Sequence, residues 1–183
     1  MSETNLLKVD PLLDGVQPST TPVSREAMEL AEFIKDRSHS LVDRIESYQD
    51  IISLEIGDTP LTRMRNVERE TGLRQLYIKF EGGNPSGTQK DRIAFAQCLD
   101  AMRRGYDTIS VATCGNFGAA TAQAAFLAGL HCKVFIPETY HTDRISEMAS
   151  YGAEVIRFPG SYEDNVYHSQ QQAKANRWYD ANP

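Results

Sequence analysis

The sequence predicts an α/β fold in which a parallel sheet is layered with helices. From residue 106 onward, short apolar runs that suit strands alternate with longer runs of helical spacing. Glycine follows three of the predicted helices, at Gly105, Gly129 and Gly152. Hydrophobic residues make up 40% of the chain and charged residues 24%, which is typical of a globular protein. Strands separated by helices pair in parallel, so we expect helices on both faces of the sheet.

Residues 1–50 are predicted to form an N-terminal arm and helices. Residues 1–23 are rich in Ser, Thr, Pro and Asn, which indicates an arm or a loosely docked extension. Ser24 suits an N-cap, and Met28, Ala31 and Ile34 follow at helical spacing. A second, short helical run covers residues 41–45.

The next segment leads to a glycine-rich loop. An apolar run at 51–54 enters the sequence GDTPL at 57–61, where proline fixes an extended corner. Residues 67–70 predict a solvated helix or turn that ends near Gly72. The run at 76–80 alternates poorly between apolar and polar residues, so we expect a strand buried on both faces. The loop and then a helix follow, up to Gly105.

The remaining elements are predicted in regular alternation. The expected strands are 109–112, 132–136 and 155–158, and the expected helices are 117–128, 142–151 and 162–178.

Composition argues against several classes of function. A net charge of −6 and a pI near 5.2 do not suit a nucleic-acid surface. No apolar run is long enough to span a bilayer, and the first residues do not resemble a signal peptide. Three widely spaced cysteines form no C-x-x-C pair, so we expect a cytoplasmic protein. The four histidines show no metal-ligand spacing, and no metal site is predicted.

Lys90 is the first candidate for chemistry. It follows the turn residues of the loop at 82–92 and precedes a helical run, which places it at the mouth of a helix. Backbone N–H groups without partners and the positive end of the helix dipole lie there, and both disfavour an ammonium ion. A lysine that acts through a Schiff base needs this condition. The spacing excludes a Walker phosphate loop.

A second turn has the same arrangement. The run TCGNFG at 113–118 lies between a predicted buried strand and an alanine-rich helix. A strand, a Gly/Asn turn and a helix together point free N–H groups at an anion. The sequence therefore predicts a reactive amine at one helix entry and an anion site at another.

Three motifs in order resemble the fold-type II pyridoxal-phosphate enzymes, the group of threonine synthase, cysteine synthase and threonine dehydratase. The run at 57–61 resembles the G-x-T-P-L entry, and the run NPSGTQKDR at 84–92 resembles the cofactor-lysine motif. The run at 113–118 resembles the substrate-carboxylate loop. The resemblance covers the chain from about Ile51 to its end and is greatest for threonine synthase.

The resemblance implies a role for each matching residue. Lys90 would bind pyridoxal 5′-phosphate as a Schiff base and then move protons, and Asn116 would hydrogen-bond the phenolic oxygen of the cofactor. The segment predicted to bind the substrate comprises Thr113, Cys114, Gly115, Asn116 and Phe117. The family usually has Ser or Thr in place of Cys114, and Phe or Val in place of Gln89.

The resemblance also implies an amino-acid substrate and a division into domains. A threonine-synthase-like enzyme would convert O-phosphohomoserine to threonine and phosphate; β-replacement, as in cysteine or cysteate synthesis, and a threonine-dehydratase-like lyase are the alternatives. Residues 51–105 would begin the large cofactor domain, and residues 106–183 would form the small domain. No Gly-rich phosphate loop follows Phe158, so the later half of the large domain is expected to be missing. A homodimer, a complementing C-terminal half, or a truncated non-catalytic module are therefore all open.

Two charged pairs near these motifs are expected to be structural. We expect Asp91 and Arg92 to form an ion pair or a helix cap. We expect Asp143 and Arg144 only to cap the helix that they precede.

Overall fold

The computed structural model describes residues 23–113 and 115–182. The helices are α1 Arg25–Lys35, α2 Leu41–Glu55, α3 Arg65–Thr71, α4 Lys90–Arg103, α5 Asn116–Ala128, α6 Ile145–Ser150 and α7 Tyr162–Asn176. The strands are β1 Leu61–Arg63, β2 Tyr77–Lys79, β3 Thr108–Ala112, β4 His131–Pro137, β5 Glu154–Phe158 and β6 Tyr179–Asp180. The predicted arm at 1–23 lies outside the described residues except for its last residue.

Four strands form a parallel sheet in the order β5-β4-β3-β6. Val134 lies at its centre, opposite Val111 on one side and Val155 on the other. The chain runs β3-α5-β4-α6-β5 in one direction and returns through α7 to β6. The right-handed crossovers that are usual for such units would place α5 and α6 on one face and α7 on the other, which agrees with the contacts of α5 with α6 and of α7 with β3 and β4. The predicted α/β fold is confirmed, and β6 is a two-residue strand that the sequence did not indicate.

Helix α5 is the centre of the core. Alanine and glycine make up most of it, and its side chains are buried on nearly every side. Small side chains let α4, α1 and the strands β3 and β4 pack closely around it. The left-handed Gly129 ends the helix, as the sequence predicted.

Helix α2 is longer than the sequence predicted: the expected run ended at residue 45, and the helix continues to Glu55. Tyr48 is fully buried, donates its hydroxyl to the carbonyl of Ala124 at 3.1 Å, and stacks on Phe95 of α4. Arg44 donates its Nε to the carbonyl of Ile34 at 2.6 Å, at the end of α1. These contacts hold α1, α2, α4 and α5 together, so the helix that begins at Lys90 has a fixed base.

Strand β2 differs from the prediction. It pairs antiparallel with β1 in a two-stranded ribbon, and every residue of both strands is exposed. The predicted burial of residues 76–80 on both faces is therefore wrong for this chain. The apolar side chains of Leu61, Ile78 and Phe80 indicated burial, but no other described strand or helix covers the ribbon.

We expect Gly57→Ala to destabilise the fold. Gly57 has φ +95°, and a Cβ there would lie 2.7 Å from Nη1 of Arg92. Gly72 is the matched control, because it has φ +74° and open space around the Cβ position. Gly72→Ala should lower the free energy of unfolding by about 1 kcal/mol through backbone strain alone. Gly57→Ala should exceed that loss by about 1 kcal/mol, because the Arg92 guanidinium must move and weaken its hydrogen bonds to Glu81.

Urea denaturation of the two variants measures both losses. Equal losses would show that Arg92 accommodates the added Cβ at no cost to its hydrogen bonds.

Candidate active site

The lysine loop is stabilised by hydrogen bonds of Asn84, whose side chain is fully buried. Its Nδ2 donates to the carbonyl of Glu81 at 2.8 Å, and its Oδ1 accepts from the N–H of Gly57 at 3.1 Å. Asp91 accepts the N–H of Ser86 at 3.0 Å, which closes the loop onto the first turn of α4. Asn84 therefore ties the loop to the GDTPL segment, and Asp91 ties it to the first turn of α4.

Lys90 is the first residue of α4, as the turn pattern predicted. Its backbone N–H donates to Oγ1 of Thr88 at 3.1 Å, so that one orphan donor of the helix start is satisfied. The side chain is exposed, and its ammonium group has no hydrogen bond or ion pair within residues 23–113 and 115–182. The amine is thus accessible to a ligand.

Arg92 joins the GDTPL segment to the lysine loop. It makes two bonds to the carboxylate of Glu81, at 2.6 and 3.0 Å, and donates to the carbonyl of Gly57 at 3.1 Å. Thr59 donates its hydroxyl to the same carboxylate at 3.0 Å. Arg92 was expected to pair with Asp91 or to cap the helix, and instead it pairs with Glu81.

The Glu81→Gln protein should lose less stability than the wild type when the pH is lowered. Hydrogen bonds from Arg92 lower the pKa of Glu81 from 4.5 to about 2. A carboxyl group whose pKa is lower in the folded state stabilises the fold above about pH 4.5, and this stabilisation is lost as the pH falls toward 2. Between these limits, we expect the free energy of unfolding to fall more steeply in the wild type than in Glu81→Gln.

Urea denaturation at a series of pH values measures the two slopes. Glu70→Gln is the control, because Glu70 is an exposed carboxylate on α3 without an ion pair in the described part of the chain. Parallel curves for the wild type and Glu81→Gln would contradict the assigned role of the Arg92 pair.

The second turn lies between β3 and α5. Thr113 is buried, and its N–H donates to the carbonyl of Phe135 at 3.1 Å. The carbonyl of Gly115 accepts the N–H groups of Gly118 and Ala119, so the helix begins at Asn116. Cys114 lies outside the described residues.

The start of α5 has the features expected of an anion site. The N–H groups of Asn116 and Phe117 have no acceptor within the described ranges, since they belong to the first turn of the helix. A Cβ added at Gly115 would meet nothing within 4 Å. The turn therefore offers free donors beside open space, an arrangement that suits an anion.

Arg144 brings the two turns together, which sequence reasoning missed. Its Nη1 donates to Oδ1 of Asn116 at 2.8 Å, and its Nη2 donates to the carbonyl of Ser86 at 2.8 Å. Glu147 accepts from the same guanidinium at 2.7 and 2.8 Å. The expectation that Arg144 only caps a helix is wrong. One signal was present: Arg144 follows the carboxyl end of β4, where ligand sites of parallel sheets are found.

Asp91 lies in the first turn of α4 and forms no ion pair with another described residue. It is fully buried, and its Oδ1 has no hydrogen-bond partner among the described residues. Burial raises the pKa of Asp91, while the hydrogen bonds from Ser86 and the charge of Arg144 act in the opposite direction. Asp91 therefore serves the loop as a structural acceptor.

The side chains of Asn116 and Lys90 are chemically suited to a pyridoxal ring, and the orientation of the Asn116 amide is the main reason. Because Arg144 donates to Oδ1 of Asn116, the Nδ2 group of Asn116 is left as a donor. A phenolate oxygen would accept from such a donor, and the aldehyde of the cofactor would need a free amine, which fits the exposed side chain of Lys90. The described residues contain no cluster of three or more side chains able to hold a metal ion. In the part of the chain that the structure describes, no helix has the length and apolar character to cross a membrane.

Comparison with known proteins identifies the family. The profile of a family described as pyridoxal-phosphate dependent enzyme matches residues 52–183. Threonine synthase from Methanocaldococcus jannaschii is 34% identical over 136 residues, which are 74% of this chain and 34% of that protein. Cysteine synthase B from Salmonella typhimurium is 37% identical over 105 residues, which are 55% of this chain and 34% of that protein.

A solved structure agrees. Cysteine synthase from Entamoeba histolytica superposes with a TM-score of 0.62 at 25% identity, covering 78% of this chain and 42% of that one. The chain spans about a third of the length of the two curated relatives. Because the family profile matches well over half of the 183 residues, the chain belongs to the fold-type II pyridoxal-phosphate-dependent enzymes, and its cofactor is pyridoxal 5′-phosphate.

Proposed function

We propose that this chain supplies the cofactor lysine and the substrate turn of an enzyme that eliminates or replaces a group on an amino acid. The observation that carries the proposal is the bridge made by Arg144, which joins the lysine loop at Ser86 to the turn at Asn116. In this arrangement residues 51–105 begin the large cofactor domain and residues 106–183 form the small domain.

Lys90 is proposed to hold the cofactor covalently through its Nζ. When bound, the pyridine ring supplies an electron sink for the carbanion character that develops at the substrate α-carbon. The Lys90 amine would take the proton from that α-carbon and return it. Its exposure and its lack of a described ion-pair partner support this role, because a lysine tied to a carboxylate would resist both steps.

Asn116 is proposed to donate Nδ2 to the phenolic oxygen of the cofactor. The proposed substrate site comprises the segment that follows β3, which is Thr113, Cys114, Gly115, Asn116 and Phe117. The unpartnered N–H groups at the start of α5 would hold the substrate carboxylate, and the helix dipole favours an anion there. The Thr113 hydroxyl would add a further donor.

The reaction that we propose first is that of threonine synthase, from O-phosphohomoserine to threonine and phosphate. The likeness to a threonine synthase over 74% of the chain supports it. The likeness to cysteine synthase B favours a second candidate, β-replacement on O-phosphoserine or O-acetylserine. We further propose that the phosphate of the cofactor is held by polypeptide outside these residues, in a homodimer partner or in a complementing C-terminal half.

Product analysis distinguishes the two reactions. The complete gene product, loaded with pyridoxal 5′-phosphate, is incubated separately with each of the three substrates and, for the last two, with sulfide. Threonine and free phosphate from O-phosphohomoserine support the first candidate, and cysteine from either serine ester supports the second. A protein that binds the cofactor at Lys90 but transforms none of the substrates would overturn both.

A further inference from the structure

The guanidinium of Arg144 has a bonding pattern that its position at the start of α6 does not require. It uses four of its five N–H groups: two go to Glu147, one to Oδ1 of Asn116, and one to the carbonyl of Ser86. The three partners belong to α6, to the first turn of α5 and to the lysine loop. A single side chain therefore joins all three parts of the site.

We propose that Arg144, held in place by Glu147, is a positioning residue that fixes the Asn116 amide with Nδ2 toward the cofactor and ties it to the lysine loop. The inference rests on the proposed function, because it assigns Arg144 a task at the same site. It adds a residue pair that none of the three sequence motifs contains.

The orientation of Asn116 follows from donor chemistry. A side-chain amide can turn over, which exchanges its oxygen and its nitrogen with little change in shape. Arg144 has only donors, so a turned Asn116 would set two N–H groups against each other at 2.8 Å. The oxygen is therefore held toward Arg144, and the donor faces away from it.

Glu147 makes the arrangement rigid. Its side chain is 8% exposed and that of Arg144 is 22% exposed, so their two-bond pair is shielded from water. Such planar pairs fix the direction of the guanidinium as well as its distance. The Glu147 carboxylate also balances the charge of Arg144. The pair therefore adds little net positive charge to the site, and its main effect is to orient the guanidinium toward Asn116.

The lysine loop is held from two sides at one residue. The N–H of Ser86 donates to Asp91 of α4, and its carbonyl accepts from Arg144. The peptide groups that precede Lys90 are thereby fixed relative to Asn116. Arg144→Lys would keep the positive charge. An ammonium group lacks the planar set of N–H donors of a guanidinium, so it could not bond Glu147, Asn116 and Ser86 at the same time.

The test compares Arg144→Gln, Arg144→Lys and Glu147→Gln with the control Arg157→Gln. Arg157 bonds to the carbonyls of Glu138 and Tyr140 in the same β4–α6 connection, and its recorded bonds include neither Ser86 nor Asn116. Thermal unfolding of each variant first checks that the fold is kept. All measurements use the complete gene product.

The first readout needs no cofactor. ¹⁵N relaxation of the Asn116 side-chain NH₂ group reports whether that amide is ordered. We expect an ordered group in the wild type and in Arg157→Gln, a disordered group in both Arg144 variants, and an intermediate result in Glu147→Gln. An equally ordered group in Arg144→Gln overturns the proposal.

The second readout is the absorbance of bound pyridoxal 5′-phosphate. A donor from Asn116 favours the deprotonated phenol, so its loss should lower the ratio of the visible-edge band to the near-ultraviolet band by about tenfold in both Arg144 variants. An unchanged ratio in these variants overturns the proposal, even where the relaxation changes. If the wild type forms no visible-edge band, the proposed function fails, and the relaxation result alone decides whether Arg144 fixes Asn116.

Discussion

Replacing Lys90 by alanine should abolish turnover of the amino-acid substrate and the visible-edge absorbance of the bound cofactor. The Lys90 amine is the only group of the lysine loop that can bond the aldehyde carbon and also move the α-proton. Its loss should therefore lower kcat/KM by about 10³-fold or more, because covalent and acid–base contributions disappear together. The fold should remain, since the exposed side chain has no partner within the described residues.

Lys174→Ala is the control for this experiment, because Lys174 is an exposed lysine on α7. The wild-type spectrum and rate are expected for that variant, and thermal unfolding should show no difference among the three proteins. A Lys90→Ala protein that retained the band would place the cofactor on another amine.

Phe95→Ala should cost about 3–5 kcal/mol of stability, which is a large part of what a domain of this size possesses. Phe95 is fully buried on α4 and stacks on Tyr48 of α2, with ring centroids 6.0 Å apart and planes 7° apart. Removing the ring leaves a cavity between the two helices. Because α4 begins at Lys90, we expect the lysine loop to lose its fixed base as well.

The control is Ile93→Ala on the same helix, where the side chain is 47% exposed. Its effect should stay within about 0.5 kcal/mol, as is usual for surface substitutions. Urea denaturation of the 183-residue chain measures both changes. Similar losses for the two variants would show that the α2–α4 contact does not anchor the helix.

Local patterns predicted most of the fold and the placement of the two turns. Turn residues followed by helical spacing placed Lys90 at a helix start, and a buried strand before a Gly/Asn turn placed Asn116 at another. Each of these signals lies within about fifteen neighbouring residues, so no tertiary information was needed. The same applies to the N-cap at Ser24 and to the left-handed Gly129.

The features that were missed depend on distant partners. Arg144 meets Ser86 across 58 residues of sequence, and no local pattern reports such a contact. Strand β6 has only two residues, which is too short for a periodic signal. The burial expected for β2 was wrong because apolar composition states a preference, while actual burial requires an element that covers the strand.

The most direct test of the account is to trap the cofactor on the protein. The complete gene product is incubated with pyridoxal 5′-phosphate, the imine is reduced with borohydride, and the modified lysine is located by peptide mass mapping. We predict modification of the peptide that contains Lys90, and its loss in Lys90→Ala. Modification distributed among the other lysines, with Lys90 unmodified, would contradict the claim that Lys90 is the amine that binds the cofactor.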